Sequence, residues 1–161
     1  MDDANAPSLL SIAYMAEGDT SLYDEQVYAA TRAWVLSGRN PYYYCGAHLC
    51  GVGSPHTPQQ HAWPMAVAVA GLTGTDVEAR AALEQLQRVP TLAMPESVHV
   101  HTNKFTRNWF DWPNALFCEL ALRVNPRARL PRRPRTSREE GWVTCAFDGE
   151  HCAFKGSAEV R

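Results

Sequence analysis

An almost wholly apolar stretch at 62–72, AWPMAVAVAGL, constrains the fold most. Such a helix is apolar on every side and has to be buried among other elements. Pro64 fits only in its first turn, where a missing backbone N–H costs little. The next segment, 76–89, is amphipathic, with Ala79, Leu83 and Leu86 on one face and charges on the other. Its N-terminus can be capped by Asp76 or the preceding Thr75.

Other helices are predicted from apolar periodicity at 8–16, 23–37 and 107–124. In 23–37 the apolar positions are Val27, Ala30, Trp34 and Val35, and Gly38 is a natural stop. Pro113 either kinks the last helix or marks a delayed start. No segment shows the alternation of a strand bounded by a hairpin turn. The alternation of apolar and amphipathic helices therefore predicts an all-α fold, as in a double ring of helices.

Two long loops, 38–61 and 90–106, separate these helices. They hold five of the six histidines and three of the six tyrosines. Long loops in a compact domain are uncommon and are often functional. Their composition suits a polar pocket with aromatic walls.

The charge pattern divides the chain into a domain at 1–125 and a tail at 126–161. The first part has 7 Lys/Arg against 12 Asp/Glu, and the second has 8 against 5. The tail opens with the Pro/Arg-rich run PRARLPRRPRTSR, which cannot bury a core. We expect the tail to be irregular and poorly ordered, and solvated rather than bound to an anion.

Composition also bounds partners and location. A formal net charge of −2 gives no reason to expect nucleic acid as a partner. No stretch reaches the roughly 18 apolar residues of a membrane helix, and the acidic N-terminus is unlike a signal peptide. The five cysteines are expected to be free thiols in a reducing, cytoplasmic setting. An upstream signal on a longer chain would change that location.

Several side chains are candidates for chemistry, each with a plain structural alternative. Glu96, in a loop between two helices, can act as a general base or merely cap the following segment. Asp2, Asp3 and Asn5 place three acceptors close together, which suits sugar hydroxyls, a cation or a helix start. Ser54 has Pro55 next to it and no nucleophile-elbow context, so a serine nucleophile lacks support.

A zinc site is a weak alternative. The candidate ligands in the loops lack any usual structural spacing and include no HExxH motif. They are Cys45, Cys50, His48, His56, His61, His99 and His101. Cys145, His151 and Cys152 form an equally weak candidate in the tail.

Five motifs in order resemble glycoside hydrolase family 125. They are DDANAPSLLSI at 2–12, LSGRNPYY at 36–43, GVGSPHTP with WPM at 51–65, MPES at 94–97 and FTRNWFDWPNALF at 105–117. The resemblance extends over residues 2–122 and is highly specific. It implies the C-terminal part of an (α/α)6 barrel and removal of terminal α-mannose, chiefly α-1,6-linked, with inversion and without a metal or other cofactor.

The resemblance also implies roles for residues. Glu96 corresponds to the family's general base, and Asp3, Asn5, Ser54, His56 and Arg107 are expected to contact the sugar or orient a carboxylate. Trp109 is expected to stack on a mannose face. The family's general acid, an Asp, comes from a part that precedes the segment at 2–12. We therefore expect this chain to bear the base without the acid, and a complementary N-terminal half or self-association to cover its exposed helix faces.

Departures from the family pattern surround the base. Pro95 replaces a histidine before Glu96 and restrains the backbone of Met94. Asn108, Asp111 and Pro113 alter the start of the last helix. The alternative to an inverting exo-α-mannosidase is a non-catalytic fragment, or one that binds mannosides without cleaving them.

Overall fold

The computed structural model describes residues 1–125 and, beyond them, the backbone of two short strands at 145–147 and 152–154. Two compact units are present, Met1–Val124 and Asn125–Arg161. The second unit contains the antiparallel pair of those strands. The prediction of an irregular, poorly ordered tail otherwise lies outside the described residues.

The first unit is mostly helical. Its helices are α1 (Ile12–Met15), a 3-10 turn (Thr20–Leu22), α2 (Glu25–Val35), α3 (Pro64–Leu72), α4 (Asp76–Gln87) and α5 (Asp111–Val124). Its strands are β1 (Tyr43–Cys45), β2 (Cys50–Val52), β3 (His61–Ala62), β4 (Ser97–His99) and β5 (Phe105–Thr106). The strands of the second unit are β6 (Cys145–Phe147) and β7 (Cys152–Phe154). None of the described helices is both long and apolar enough to cross a membrane.

The strands correct the all-α prediction, although a mostly helical chain is confirmed. The two long loops of the sequence contain β1–β2, an antiparallel pair, and β3–β4–β5, an antiparallel sheet in that order. Each strand has only two or three residues, too few for an alternating pattern to be visible. The partners β3 and β4 also lie far apart in sequence, as His61 opposite His99 illustrates.

Helix α3 lies at the centre of the unit, as its apolar sequence predicts. Trp63 precedes it, and Pro64 is its first residue. Its side chains divide between two buried clusters, with Val67 and Ala68 in one and Met65, Ala66 and Val69 in the other. Helices α4 and α5 pack on it, and α4 buries Ala79, Ala82, Leu83 and Leu86. A capping box of Thr75 and Glu78 begins α4.

Helix α2 buries only part of its predicted apolar face, at Trp34 and Val35. Val27 is 63% exposed, and Val35 is the residue of the helix that is fully buried. The inward positions are Tyr28 and Arg32, which donate hydrogen bonds to the carbonyl oxygens of Leu10 and Ala70. Because these polar-tipped residues satisfy backbone groups of neighbouring elements, apolar periodicity alone did not reveal them and was wrong at Val27 and Ala30, which are exposed. The helix also ends at Val35, before Gly38.

Helix α5 begins at Asp111, so Pro113 lies in its first turn. A proline there removes an N–H that has no partner within the helix anyway. The delayed start is therefore confirmed, and no kink is needed to accommodate Pro113.

Two of the cysteines expected to be free are joined. Cys45 and Cys50 face each other across the β1–β2 pair and form a disulfide, whereas Cys118 is a free thiol. Direct opposition across antiparallel strands brings the two sulfur atoms together. The sequence spacing did not reveal this, because the hairpin itself was not predicted.

Candidate active site

Glu96 lies at the start of the β3–β4–β5 sheet, between the buried Pro95 and β4. Its backbone N–H is shared between the carbonyl oxygens of Thr106 and Arg107, at 3.1 and 3.2 Å. The main chain of Glu96 is therefore held against the end of β5, even though proline replaces the family's histidine beside it.

The two carboxylate oxygens of Glu96 have different surroundings. The Thr106 hydroxyl donates a 3.0 Å hydrogen bond to Oε2. Arg107 Nε lies 3.6 Å from Oε1, which is within ion-pair range but too long for a hydrogen bond. The Glu96 side chain is only 15% exposed, while that of Arg107 is 66% exposed. Oε2 is thus held by a hydrogen bond, and Oε1 faces the exposed guanidinium of Arg107.

Arg107 has a left-handed backbone, with φ of 43°. A non-glycine residue in this region costs of order 1 kcal/mol or more, and such residues concentrate at functional sites. Its guanidinium carbon lies 5.7 Å from the centre of the Phe110 ring, a cation–π arrangement. The turn at Arg107 therefore brings its carbonyl to Glu96 N–H and its side chain to an aromatic ring.

Asn114, in the first turns of α5, holds the segment before Glu96. Its side-chain oxygen accepts from Met94 N–H, and its amide donates to the Met94 carbonyl, both at 3.0 Å. The Phe110 N–H also donates to that carbonyl. The backbone two residues before the glutamate is consequently fixed to the start of α5.

A second polar cluster joins the N-terminal segment to the loop after β2. The Asn5 amide donates to the Asp3 carboxylate and to the Ser54 hydroxyl, both at 2.9 Å. Ser54 is buried and also accepts from the backbone N–H of His56, whose side chain is exposed. The structure therefore brings together Asp3, Asn5, Ser54 and His56, four of the residues for which the resemblance implies sugar contacts.

Asp2 has a structural task. Its two carboxylate oxygens accept the backbone N–H groups of Leu9 and Leu10, at 3.1 and 3.3 Å. Both oxygens thus serve as acceptors that close the turn before α1.

Aromatic side chains link the two polar clusters. Trp63 Nε1 donates to Thr57, whose hydroxyl donates to the Ser54 carbonyl. The edge of the Trp63 ring meets Phe110, which lies under Arg107, and Phe110 also contacts Trp112. A continuous wall therefore runs from the Ser54 cluster to the Glu96–Arg107 pair. Trp109 is 59% exposed, beyond the end of this wall.

Three of the histidines considered for zinc are neighbours, with the His99 ring centre 5.4 Å from that of His61 and 6.2 Å from that of His101. Across residues 1–125 the structure contains no group of three or more His, Cys, Asp or Glu side chains able to hold a metal ion. The His61 and His99 rings stack edge to face, and His101 accepts from Ala47 N–H. His48 and His56 belong to separate loops, and Cys45 and Cys50 are in the disulfide. The candidate at Cys145, His151 and Cys152 lies outside the described side chains.

Sequence reasoning missed the side chains that position the glutamate. Thr106, Ser97 and Asn114 were parts of motifs without assigned roles, and His61 was considered only as a zinc ligand. The signal that could have found them is strand register, because Ser97 and Thr106 are opposite each other on β4 and β5. The site as a whole offers a carboxylate with one oriented oxygen, beside hydroxyl, amide and aromatic groups that suit a sugar ring.

The chain is similar in sequence to known α-mannosidases and to a fission-yeast protein. Residues 1–122 match the family model of the metal-independent alpha-mannosidases, glycoside hydrolase family 125. The meiotically up-regulated gene 157 protein of Schizosaccharomyces pombe is 42% identical over 139 aligned residues, which cover 83% of this chain and 26% of that protein.

A solved structure gives a similar result. It is a Streptococcus pneumoniae metal-independent alpha-mannosidase in a non-productive complex with alpha-1,6-mannobiose, with 41% sequence identity and a TM-score of 0.69. The match covers 77% of this chain and 29% of that one. The chain therefore spans between a quarter and a third of the length of these two relatives.

Proposed function

The chain belongs to glycoside hydrolase family 125, the metal-independent α-mannosidases, and from that premise we propose that it carries the general-base side of an inverting exo-α-mannosidase site. The base is Glu96. The observation that carries the proposal is the asymmetry of its carboxylate: the Thr106 hydroxyl binds Oε2, whereas Oε1 lies 3.6 Å from Arg107 Nε, beyond hydrogen-bond distance. The fold that goes with this proposal is the C-terminal part of an (α/α)6 barrel.

The chemistry requires two carboxyl groups. In inversion, a base removes a proton from a water molecule while the water oxygen bonds to the anomeric carbon from the face opposite the leaving group. A carboxylic acid about 6.5–9.5 Å from the base protonates the departing oxygen as the glycosidic bond breaks. Glu96 Oε1 takes the water proton here. The acid is supplied by a segment outside these 161 residues, on the same longer polypeptide or on a complementary chain.

The substrate class is an α-1,6-linked mannoside. The S. pneumoniae relative was solved with α-1,6-mannobiose, which supports this choice. Asp3, Asn5 and Ser54 are the proposed partners of sugar hydroxyls, with His56 beside them on an exposed loop. Arg107 orients the carboxylate, and Trp109 offers an exposed ring for stacking on a sugar face.

The second candidate is binding without cleavage. It is favoured by the two carboxylates of the N-terminal segment: both oxygens of Asp2 accept backbone N–H groups, and Asp3 accepts from the backbone and side chain of Asn5. Without a group placed to protonate the leaving oxygen, a natural mannoside would be bound and released unchanged.

α-Mannosyl fluoride separates the two candidates, because fluoride departs without general-acid help. We expect the purified chain to release β-mannose from the fluoride but none from α-1,6-mannobiose, with the anomer followed by NMR. Glu96→Gln should lower the rate of fluoride hydrolysis about 10²–10⁴-fold.

Glu84→Gln makes the same chemical change at an exposed position on α4 and should leave the rate unchanged. Turnover that survives Glu96→Gln, or release of α-mannose, would exclude Glu96 as an inverting base. Binding of mannobiose with no turnover of either compound would favour the second candidate. Hydrolysis of mannobiose itself would show that an acid exists within this chain.

A further inference from the structure

A line of four hydrogen-bonding side chains runs from the buried interior to Glu96. His61 Nδ1 lies 3.0 Å from Ser97 Oγ, and Ser97 Oγ lies 2.7 Å from Thr106 Oγ1. Thr106 Oγ1 then lies 3.0 Å from Glu96 Oε2. Three strands supply the members, with His61 on β3, Ser97 on β4 and Thr106 on β5.

The chemistry of the groups fixes the direction of every hydrogen bond in this line. An ionised carboxylate only accepts, so Thr106 has to give its single hydroxyl hydrogen to Glu96. Thr106 Oγ1 can then only accept from Ser97, and Ser97 Oγ can only accept from His61. The proton of the neutral imidazole therefore has to be on Nδ1, the less common tautomer of free histidine.

We propose that His61, Ser97 and Thr106 form a positioning relay for Glu96, in which Nδ1–H of His61 is the terminal donor and the ionised carboxylate is the terminal acceptor. The relay fixes Oε2, so that Oε1 is the oxygen that meets the water molecule. Its catalytic meaning rests on the proposed role of Glu96 as a base. Its existence does not.

Burial supports the relay. Ser97 is completely buried and His61 is 5% exposed, whereas Thr106 and Glu96 are partly exposed. Hydrogen bonds in such a low-dielectric interior are stronger than in water, and successive bonds polarise one another. Burial also lowers the pKa of His61, and the nearby His99 and Lys104 lower it further. His61 is thus neutral at neutral pH. Only the neutral imidazole has a single N–H, whose position on Nδ1 or Nε2 can report the direction of the relay.

Strand register supports it as well. His61 pairs with His99 and Ser97 with Thr106, so these side chains lie on one face of the small sheet. The spacing is set by backbone pairing rather than by flexible loops. Side chains on paired strands are already held near one another, so forming the relay costs little further conformational entropy.

Breaking the relay should let it reverse. In Glu96→Ala, Thr106 is free to donate to Ser97, and Ser97 to Nδ1 of His61, which moves the imidazole proton to Nε2. In Thr106→Val, Ser97 no longer has an acceptor there and can donate to Nδ1 directly. Thr106→Ser keeps the hydroxyl and is the matched control.

The test is the tautomer of His61, read from ring ¹⁵N chemical shifts of the labelled full chain at neutral pH. We expect Nδ1–H to predominate in the wild type and in Thr106→Ser. The ratio of Nδ1–H to Nε2–H should fall about fivefold or more in Glu96→Ala and in Thr106→Val, as expected for the loss of about one net hydrogen bond. Amide spectra of each variant check that the fold is retained.

An Nε2–H tautomer in the wild type would overturn the relay, as would a ratio that does not change in either folded variant. The measurement needs no turnover, so its result is separate from that of the mannosyl fluoride assay. An Nδ1–H tautomer that depends on Glu96, without Glu96-dependent hydrolysis, would support the relay and exclude Glu96 as the base. Glu96-dependent hydrolysis with an unchanged His61 tautomer would support the base and exclude the relay.

Discussion

Gly53, next to the Ser54 cluster, shows how little room the site has at the scale of a single residue. A Cβ atom at this position would overlap the His61 carbonyl oxygen and lie 2.8 Å from Cε2 of Tyr44. Its N–H and carbonyl also pair with Tyr42 and Ala4. Gly53 therefore allows β2, β3 and the N-terminal segment to meet closely.

Gly53→Ala should lower the free energy of unfolding by about 1–3 kcal/mol, because overpacking moves the backbone around Ser54. Urea denaturation of the chain measures the change. Gly38→Ala is the matched control, since a Cβ atom there has no neighbour within 4 Å. Equal stability of the two variants would contradict the close approach at Gly53.

Asn114→Ala should destabilise the chain because it removes the acceptor of the buried Met94 N–H and leaves the Met94 carbonyl with the Phe110 N–H alone. A buried donor or acceptor left unpaired costs about 1–3 kcal/mol. Urea denaturation can be compared with Asn108→Ala, a change at an exposed position. Equal stability of the two asparagine variants would contradict the hydrogen bonds between Asn114 of α5 and the Met94 backbone.

Glu96 could be identified from sequence because the resemblance carries it as one residue inside a short motif. The relay behind it could not, because His61 and Ser97 are 36 positions apart and meet only through strand pairing. Register between strands of two or three residues leaves no local pattern. The Asp3–Asn5–Ser54 cluster was predicted as a group of sugar contacts, but its internal hydrogen bonds needed coordinates.

At the scale of elements, helices were predictable and strands were not. The apolar run of α3 and the capped, amphipathic α4 leave strong local signals, and both are confirmed. The buried face of α2 was predicted only in part, because Tyr28 and Arg32 point inward to satisfy carbonyl groups that periodicity does not reveal. Local signals therefore predict which segments are helical better than which side of each one is buried.

Glu78 connects three helices and should make stability depend on pH. It caps α4 through Thr75 and pairs with Arg32 of α2 at 2.8 Å, while Arg32 also binds the carbonyl of Ala70 on α3. The backbone N–H of Thr75, then Arg32, lowers the pKa of Glu78 from 4.5 to about 2. A lowered folded-state pKa gives stability that is full above the unfolded value and is lost as pH falls toward the folded value.

Glu78→Gln should therefore be less stable than the wild type at neutral pH, and this difference should close between pH 4.5 and about 2. The side chain is 44% exposed, so solvent screens part of the effect. Thermal unfolding across this pH range measures it. Glu84→Gln, which removes only an exposed pair with Arg88, should stay close to the wild type throughout. A constant difference for Glu78→Gln would exclude the linkage.

At the scale of the whole molecule, three large aromatic side chains are exposed beside the Glu96 site. Phe105, Trp109 and Trp112 are 41%, 59% and 51% exposed, and all three lie near the start of α5, close in sequence to Arg107. Large apolar side chains grouped in this way mark interaction surfaces. The chain also spans only 26–29% of the length of the two larger relatives.

We therefore predict that the isolated chain self-associates through this aromatic surface, in a concentration-dependent way that sedimentation velocity can follow. Trp112→Gln should weaken association at least about tenfold. The exposed half of the Trp112 side chain would no longer bury apolar area in either copy of the chain. Val77→Gln changes a still more exposed apolar residue, 77% accessible, on the first turn of α4 and should have no effect. Weakening by both variants would indicate general stickiness instead of a defined surface. A monomer at all concentrations would leave these rings available to a sugar or to a complementary chain, and α-1,6-mannobiose quenching of tryptophan fluorescence would then distinguish the two.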